Sequence, residues 1–287
     1  MNVFVFGGTT EGRKISTALS NAGMDVTLSV ATEFAQNLVT EHNLIEHNLA
    51  IIADRLGAEE MIRVLKEGAF EYVIDATHPY AILATQNIRS ACQAVGLKYF
   101  RLIRPESTVD AAIPGLTYVE DTGTAVQLLN KKLHNKDFHN KEQLPNKEQC
   151  LNKEQHHNKI GHQSCEKILL TIGSKELKSF TQVENFAERL FVRILPMPES
   201  LKKALDLGFR GSNIICMQGP FDKDMNIATL KMTGAEYLVT KDSGDAGGFE
   251  AKISAARSLG CKVIVIARPV REEGYTLDEL LDELLGF

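Results

Sequence analysis

No stretch of the chain approaches the ~18 apolar residues of a membrane span, which argues against an integral membrane helix. Nor is there a surplus of positive charge: 32 Lys and Arg stand against 37 Asp and Glu, a net charge of −5. Nucleic-acid binders and basic membrane-surface proteins normally carry a positive field, so neither class of partner is expected. Any anionic ligand has to be held by locally placed cations. No basic segment followed by an apolar run precedes the first strand, and the five cysteines (Cys92, Cys150, Cys165, Cys216, Cys261) form no C-x-x-C pair. The expectation is a cytoplasmic protein with reduced thiols.

Signatures of self-sufficient catalysis are also missing. The sequence has no G-x-S-x-G elbow, no H-E-x-x-H, no paired cysteine ligands and no Walker A lysine after Gly7-Gly8. Cofactor chemistry is what remains for an enzyme, and no metal site is expected.

What is present begins at once. Val3–Phe6 is an apolar run bounded by Gly7-Gly8-Thr9-Thr10-Glu11-Gly12, and Ile15, Ala18 and Leu19 then recur at helical spacing. This reads as a buried strand, a tight glycine turn and a helix N-terminus. Such a turn presents backbone N–H groups and the positive end of a helix dipole, a natural seat for phosphate. Gly8 lets the main chain approach a ligand, and Thr9 and Thr10 add hydroxyls. The match to the dinucleotide fingerprint is partial, with Thr9 in place of the second glycine, so a plain strand–turn–helix unit is the competing reading. Gly7, Gly8, Thr9, Thr10 and Glu11 form the candidate cradle. Ser29, at the end of a second strand over 25–30, and Thr77 join them as candidate cofactor contacts. That strand ends Ser29-Val30-Ala31-Thr32, with Glu33 the first acid. Without a carboxylate for the ribose 2′-hydroxyl the site tilts toward NADPH, with NADH the alternative.

Further strands are expected over 49–53, 72–74 and 99–103, and helices over 58–67 and from His78-Pro79 to Val95. The fourth strand runs into Asp75-Ala76-Thr77-His78-Pro79-Tyr80, where ligands gather in open α/β sheets. A helix over 122–133 follows. Composition then breaks: 134–165 repeats near-identical units such as HNKEQ and LNKEQ, with Lys and Glu almost cancelling. Such a segment has too little apolar surface to offset the entropy of ordering it, so it reads as a disordered insertion. Five of the eight histidines lie there, at spacings that match no tetrahedral site. Order resumes with strands over 167–171, 191–195, 213–217, 237–240 and 262–267, alternating with helices over 199–207, 223–232, 249–259 and 277–285. The expected organisation is a Rossmann-like nucleotide-binding domain at 1–133, the insertion at 134–165 and a substrate domain at 166–287. In fold class these are two doubly wound parallel α/β domains with a cleft between them.

Five motifs occur in order: the Gly7-Gly8-Thr9-Thr10-Glu11 turn, Asp75-Ala76-Thr77-His78-Pro79-Tyr80-Ala81, Arg104-Pro105, Gln218-Gly219-Pro220-Phe221, and Lys241-Asp242-Ser243-Gly244 before Arg268-Pro269. Together they resemble the precorrin-6A reductases of cobalamin biosynthesis, including the cobalt-precorrin-6A branch. The resemblance spans the chain apart from about 134–165. It implies hydride transfer from NADPH or NADH to one double bond of a tetrapyrrole macrocycle, giving the dihydro product. A ring rimmed by carboxylates needs cationic forks, and Arg104, Lys175, Arg210 and Lys241 are the candidates. Ser174, Gln218, Gly219, Pro220, Phe221, Ser243 and Gly244 are further candidate substrate contacts. Hydride addition also needs a proton donor, for which His78, Tyr80, Lys241 and Asp242 are candidates. Two other classes compete: a cofactor-free lyase or isomerase of the uroporphyrinogen-III synthase type, and a non-catalytic dinucleotide sensor.

Overall fold

The computed structural model describes residues 1–31, 48–104, 114–141, 166–244, 247–268 and 273–286, with the backbone alone over 134–141. Thr32, Glu33, Pro105, Cys150, Cys165, Pro269 and the repeat over 142–165 lie outside the described residues. The chain forms two compact units, Met1–Glu106 with Pro269–Phe287, and Ser107–Arg268.

The first unit is built on a parallel sheet of β1 (Asn2–Phe6), β2 (Asp25–Val30), β3 (Leu49–Ala53), β4 (Tyr72–Asp75) and β5 (Lys98–Arg101), in the order β3-β2-β1-β4-β5. Side chains alternate across a strand, and β1 is apolar from Val3 to Phe6, so both faces must be covered. Val3 and Val5 pack with Ile15 and Leu19 of helix α1 (Thr10–Asn21). Phe4 and Phe6 pack with Met61 and Leu65 of α2 (Ala58–Glu67) and with Ile88 and Cys92 of α3 (Ile82–Val95).

The second unit has a six-stranded parallel sheet: β6 (Leu116–Val119), β7 (Lys167–Thr171), β8 (Leu190–Ile194), β9 (Ile214–Cys216), β10 (Ala235–Lys241) and β11 (Lys262–Ile266), in the order β6-β11-β10-β7-β8-β9. One face carries α4 (Thr122–Lys141) and the short helices α5 (Leu177–Phe180) and α6 (Phe186–Arg189), with α7 (Pro198–Asp206) beside them. The other face carries α8 (Lys223–Thr233) and α9 (Phe249–Ser258).

The expected division at 133 is corrected at both ends. β6 pairs with β11, which places residues 107–133 in the second unit. Conversely, α10 (Leu277–Leu285) leaves the second unit. Its Leu280, fully buried, joins the core of α1 and β1, and Leu102 bridges Tyr275 alongside the end of β5. Hydrogen bonds and apolar burial, not order along the chain, decide which sheet a segment completes. β6 itself is a four-residue edge strand whose strand pattern goes unrecognised in the sequence. The insertion is also entered later than expected, because α4 runs on to Lys141. Residues 134–141 contain no proline or glycine, so a helix already nucleated continues through them. Among the described residues no helix is long and apolar enough to cross a membrane.

Candidate functional site

In the first unit the strand order reverses between β1 and β4, and open α/β sheets bind ligands at the carboxyl ends of strands beside that reversal. The glycine turn lies there. Gly7 N–H donates to Ser29 O at 2.8 Å, which ties the turn to the end of β2. Gly8 has φ +94°, and a side chain built there would meet nothing within 4 Å, so the backbone faces open space. Thr9 is the N-cap of α1: its Oγ1 accepts from Gly12 N–H at 3.0 Å and donates to Ala76 O at 2.7 Å, joining the β1 and β4 loops. Gly12 has to be small, since a Cβ would lie 2.9 Å from Gly7 Cα. A shallow recess, open to solvent, is lined by Glu11, Ala76, Thr77, Pro79, Leu102 and Arg104.

Glu11 and Arg104 close one side of this recess as a two-pronged pair, Nε to Oε1 at 2.8 Å and Nη2 to Oε2 at 2.5 Å. Burial works to raise the Glu11 pKa, but the Arg104 hydrogen bond and charge, with smaller help from its own backbone N–H and from His78, hold it below the usual carboxylate range. Beneath the recess lies a buried polar network. Asp75, fully buried, accepts from Arg101 Nη1 at 2.8 Å, Thr77 Oγ1 at 2.7 Å and Tyr99 OH at 3.0 Å. Burial first, then the Asp75 charge, push the Tyr99 hydroxyl up, and the same two causes push the Cys92 thiol to about 11. At the mouth, Tyr80 N–H donates to His78 Nδ1 at 3.3 Å.

The second sheet reverses between β7 and β10. Lys241 Nζ bridges the two strand ends to Glu176 Oε1 at 2.5 Å. Asp242 Oδ1 lies 3.7 Å from Arg268 Nη2 and accepts from Gly244 N–H at 3.3 Å. Ser174 Oγ lies 3.1 Å from Ser200 Oγ, and Lys203 Nζ donates to Lys175 O at 3.0 Å. Gln218-Gly219-Pro220-Phe221 follows the edge strand β9. It folds back toward the start of α9, so that a Cβ on Gly248 would lie 3.4 Å from Phe221 O.

Comparison with known proteins matches residues 2–285 to the family described as Precorrin-6x reductase CbiJ/CobK. The chain belongs to this family. The cobalt-precorrin-6A reductase of Salmonella typhimurium is 30% identical, over 100% of this chain and 94% of that protein. That of Methanothermobacter thermautotrophicus is 31% identical over 99% and 84%, and the precorrin-6A reductase of Rhodobacter capsulatus is 26% identical over 93% and 88%. The solved structure of CobK precorrin-6A reductase superposes with a TM-score of 0.66 at 24% identity, covering 100% of this chain and 96% of that one, which shows the shared fold. The family is one of reductases in cobalamin biosynthesis, so the oxidoreductase reading stands over the lyase and the sensor. Membership implies a nicotinamide cofactor and a tetrapyrrole substrate.

Within this reductase the first unit gathers Gly7, Gly8, Thr9, Thr10, Glu11, Ser29, Thr77, His78 and Arg104 at one reversal. The second gathers Ser174, Lys175, Lys241, Asp242, Ser243 and Gly244 at another, while Phe221 lies beside Gly248 at the start of α9. Arg210 is misplaced as a substrate fork. It precedes the turn that feeds β9, at the amino end of the sheet, where it pairs with Glu188 of α6. Arg104, Lys241 and Asp242 are each engaged in an ion pair that single residue types do not disclose. Asp75 is visible in the sequence only as the head of a motif, without a role, and Arg101 goes unrecognised. The available signal was a charged residue closing each of two adjacent strands, Tyr72–Asp75 and Lys98–Arg101.

Proposed function

We propose that this reductase transfers a hydride from NADPH to one double bond of cobalt-precorrin-6A, giving the dihydro product. The observation that carries the reading is the placement of the glycine turn at the β1/β4 reversal, with Gly8 open above it. Features that suit a dinucleotide are the Gly8 backbone facing open space, the N-terminus of α1 beside it, and no acid on β2 beyond Asp25 to repel a 2′-phosphate. In that reading Gly7, Gly8, Thr9, Thr10 and Glu11 cradle the pyrophosphate, and Ser29 and Thr77 flank it. When bound, the reduced nicotinamide supplies the hydride.

The chain's own part is to orient and to supply a proton. His78 is the donor we assign: it stands between Thr77 and Pro79, which line the recess, and as the imidazolium it can pass a proton to the ring. Tyr80 positions it. Lys241 and Asp242 are held by acid and base partners, which suits them to binding. With Ser174, Lys175, Gln218, Gly219, Pro220, Phe221, Ser243 and Gly244, Lys241 receives the carboxylate-rimmed ring, while Asp242 holds Arg268 beside it. The cobalt-containing substrate is favoured because the relatives at 30–31% identity bear that name. A cytoplasmic location accords with reduced cysteines.

The test is anaerobic oxidation of NADPH and of NADH by the purified protein, with cobalt-precorrin-6A and with the cobalt-free ring. NADPH oxidation with a matching shift in macrocycle absorbance is expected, faster with cobalt present. No oxidation with either ring sinks the activity, and preference for the cobalt-free ring sinks the substrate assignment. His78→Ala is expected to lower kcat by about 10²–10⁴-fold.

A further inference from the structure

Arg193 is the penultimate residue of β8, on the sheet face covered by α8 and α9, and is 7% exposed. Its guanidinium stacks on the Phe221 ring, 4.4 Å from Cζ to the ring centroid, and Nη2 donates to Asn226 Oδ1 at 3.0 Å. Nη1 is buried and has no hydrogen-bond partner among the described residues. Burial alone lowers the pKa, to about 10, with no acid opposing it. The contrast with the other cations near the strand ends is direct: Arg104, Lys241 and Arg268 each face a carboxylate of their own unit.

A buried guanidinium without an anion is costly, and such an unsatisfied group calls for a physical explanation. Stacking on an aromatic face leaves the edge donors of arginine available in the guanidinium plane. Asn226 fixes that plane. Its Nδ2 also donates to Phe221 O at 3.2 Å and Asp222 O at 2.7 Å, tying the segment 218–222 to the same point. The arrangement has a prepared cation, an oriented donor and a segment laid over both.

We propose that Arg193 is a carboxylate receptor for the tetrapyrrole, with Nη1 the donor held for the anion beside the segment 218–221. This rests on the substrate class proposed above, and assigns to that ring an anchoring residue buried at the end of β8. Removing the charge should relieve the free protein while harming its grip on the ligand, the opposite of what a structural arginine would do.

The experiment compares the full-length wild type with Arg193→Met and Arg193→Lys. The readouts are melting temperature, NADPH binding, turnover of the corrinoid, and binding of uroporphyrin, a stable ring fringed with carboxylates. Arg193→Met should keep its melting temperature or gain a few degrees, bind NADPH as wild type does, and lose at least tenfold in uroporphyrin affinity and in kcat/KM through KM. Arg193→Lys should lose less. Unchanged ring affinity and KM, with or without a fall in melting temperature, overturns the proposal and leaves Arg193 a packing residue. If Arg193→Met fails to fold, Arg193→Lys decides alone: a KM raised about threefold supports the proposal, and an unchanged KM ends it. Absence of turnover and of ring binding by the wild type overturns the functional reading itself; a defect confined to the comparison concerns Arg193 only.

Discussion

At the scale of single residues, the first unit balances charge where a ligand would sit. Glu11 stands in the first turn of α1, where the helix dipole already favours an anion, yet its carboxylate is committed to Arg104 at 2.5–2.8 Å. Its folded pKa is depressed, so the pair contributes stability above the ordinary carboxylate value of 4.5, and that contribution is lost as pH falls through the folded value. Unfolding followed from pH 7 to pH 3 should show the wild type losing stability in that acid window. Glu11→Gln, already without the charge, should give a flatter acid limb. Identical acid limbs would show that Glu11 titrates alike folded and unfolded. Below it, Asp75 and Arg101 form a pair 0% and 3% exposed, the kind of contact that is destabilising to break one-sidedly, by about 3–5 kcal/mol. Their carboxyl-end position makes them the floor of the recess that Thr77 and Arg104 line.

At the scale of elements, α10 shows how far a local pattern can be trusted. Its leucines at spacings of three and four and the Thr276–Glu279 capping box announce a helix. Nothing local says which sheet it covers. Leu280→Ala should cost about 2–5 kcal/mol and should perturb NADPH binding, since α10 packs on the helix whose N-terminus forms the cradle. A variant with lowered stability in the second unit alone would place α10 wrongly. The same distinction separates what was legible from what was not. Val3–Phe6 with the glycine turn, and Tyr72–Asp75 with its polar tail, could be read because strand, turn and helix signals lie within twenty residues. The four residues of β6 could not, because an edge strand half exposed at Leu116, Thr117 and Tyr118 has no distinctive alternation. The pairings Lys241–Glu176 and Arg104–Glu11 join residues 65 and 93 apart in sequence, and only the folded sheets bring them into reach.

For the whole molecule, the two units repeat one logic, a parallel sheet whose strand order reverses beside a glycine-bearing loop. Each reversal collects a polar set from two strand ends. A net charge of −5 supplies no general attraction for an acid-rimmed ring, so binding has to come from cations set within these loops. Most such cations are already partnered within their own unit, which makes the exceptions informative, Arg193 above all. The division of labour, nucleotide at the first reversal and macrocycle at loops of the second unit, is the central claim. It is tested most directly by a crystal structure of the full chain grown with NADPH. The account predicts the pyrophosphate against the backbone amides of Gly8, Thr9 and Thr10; density for NADPH in the loops after β7 and β10, with the Gly8 corner unoccupied, would contradict it.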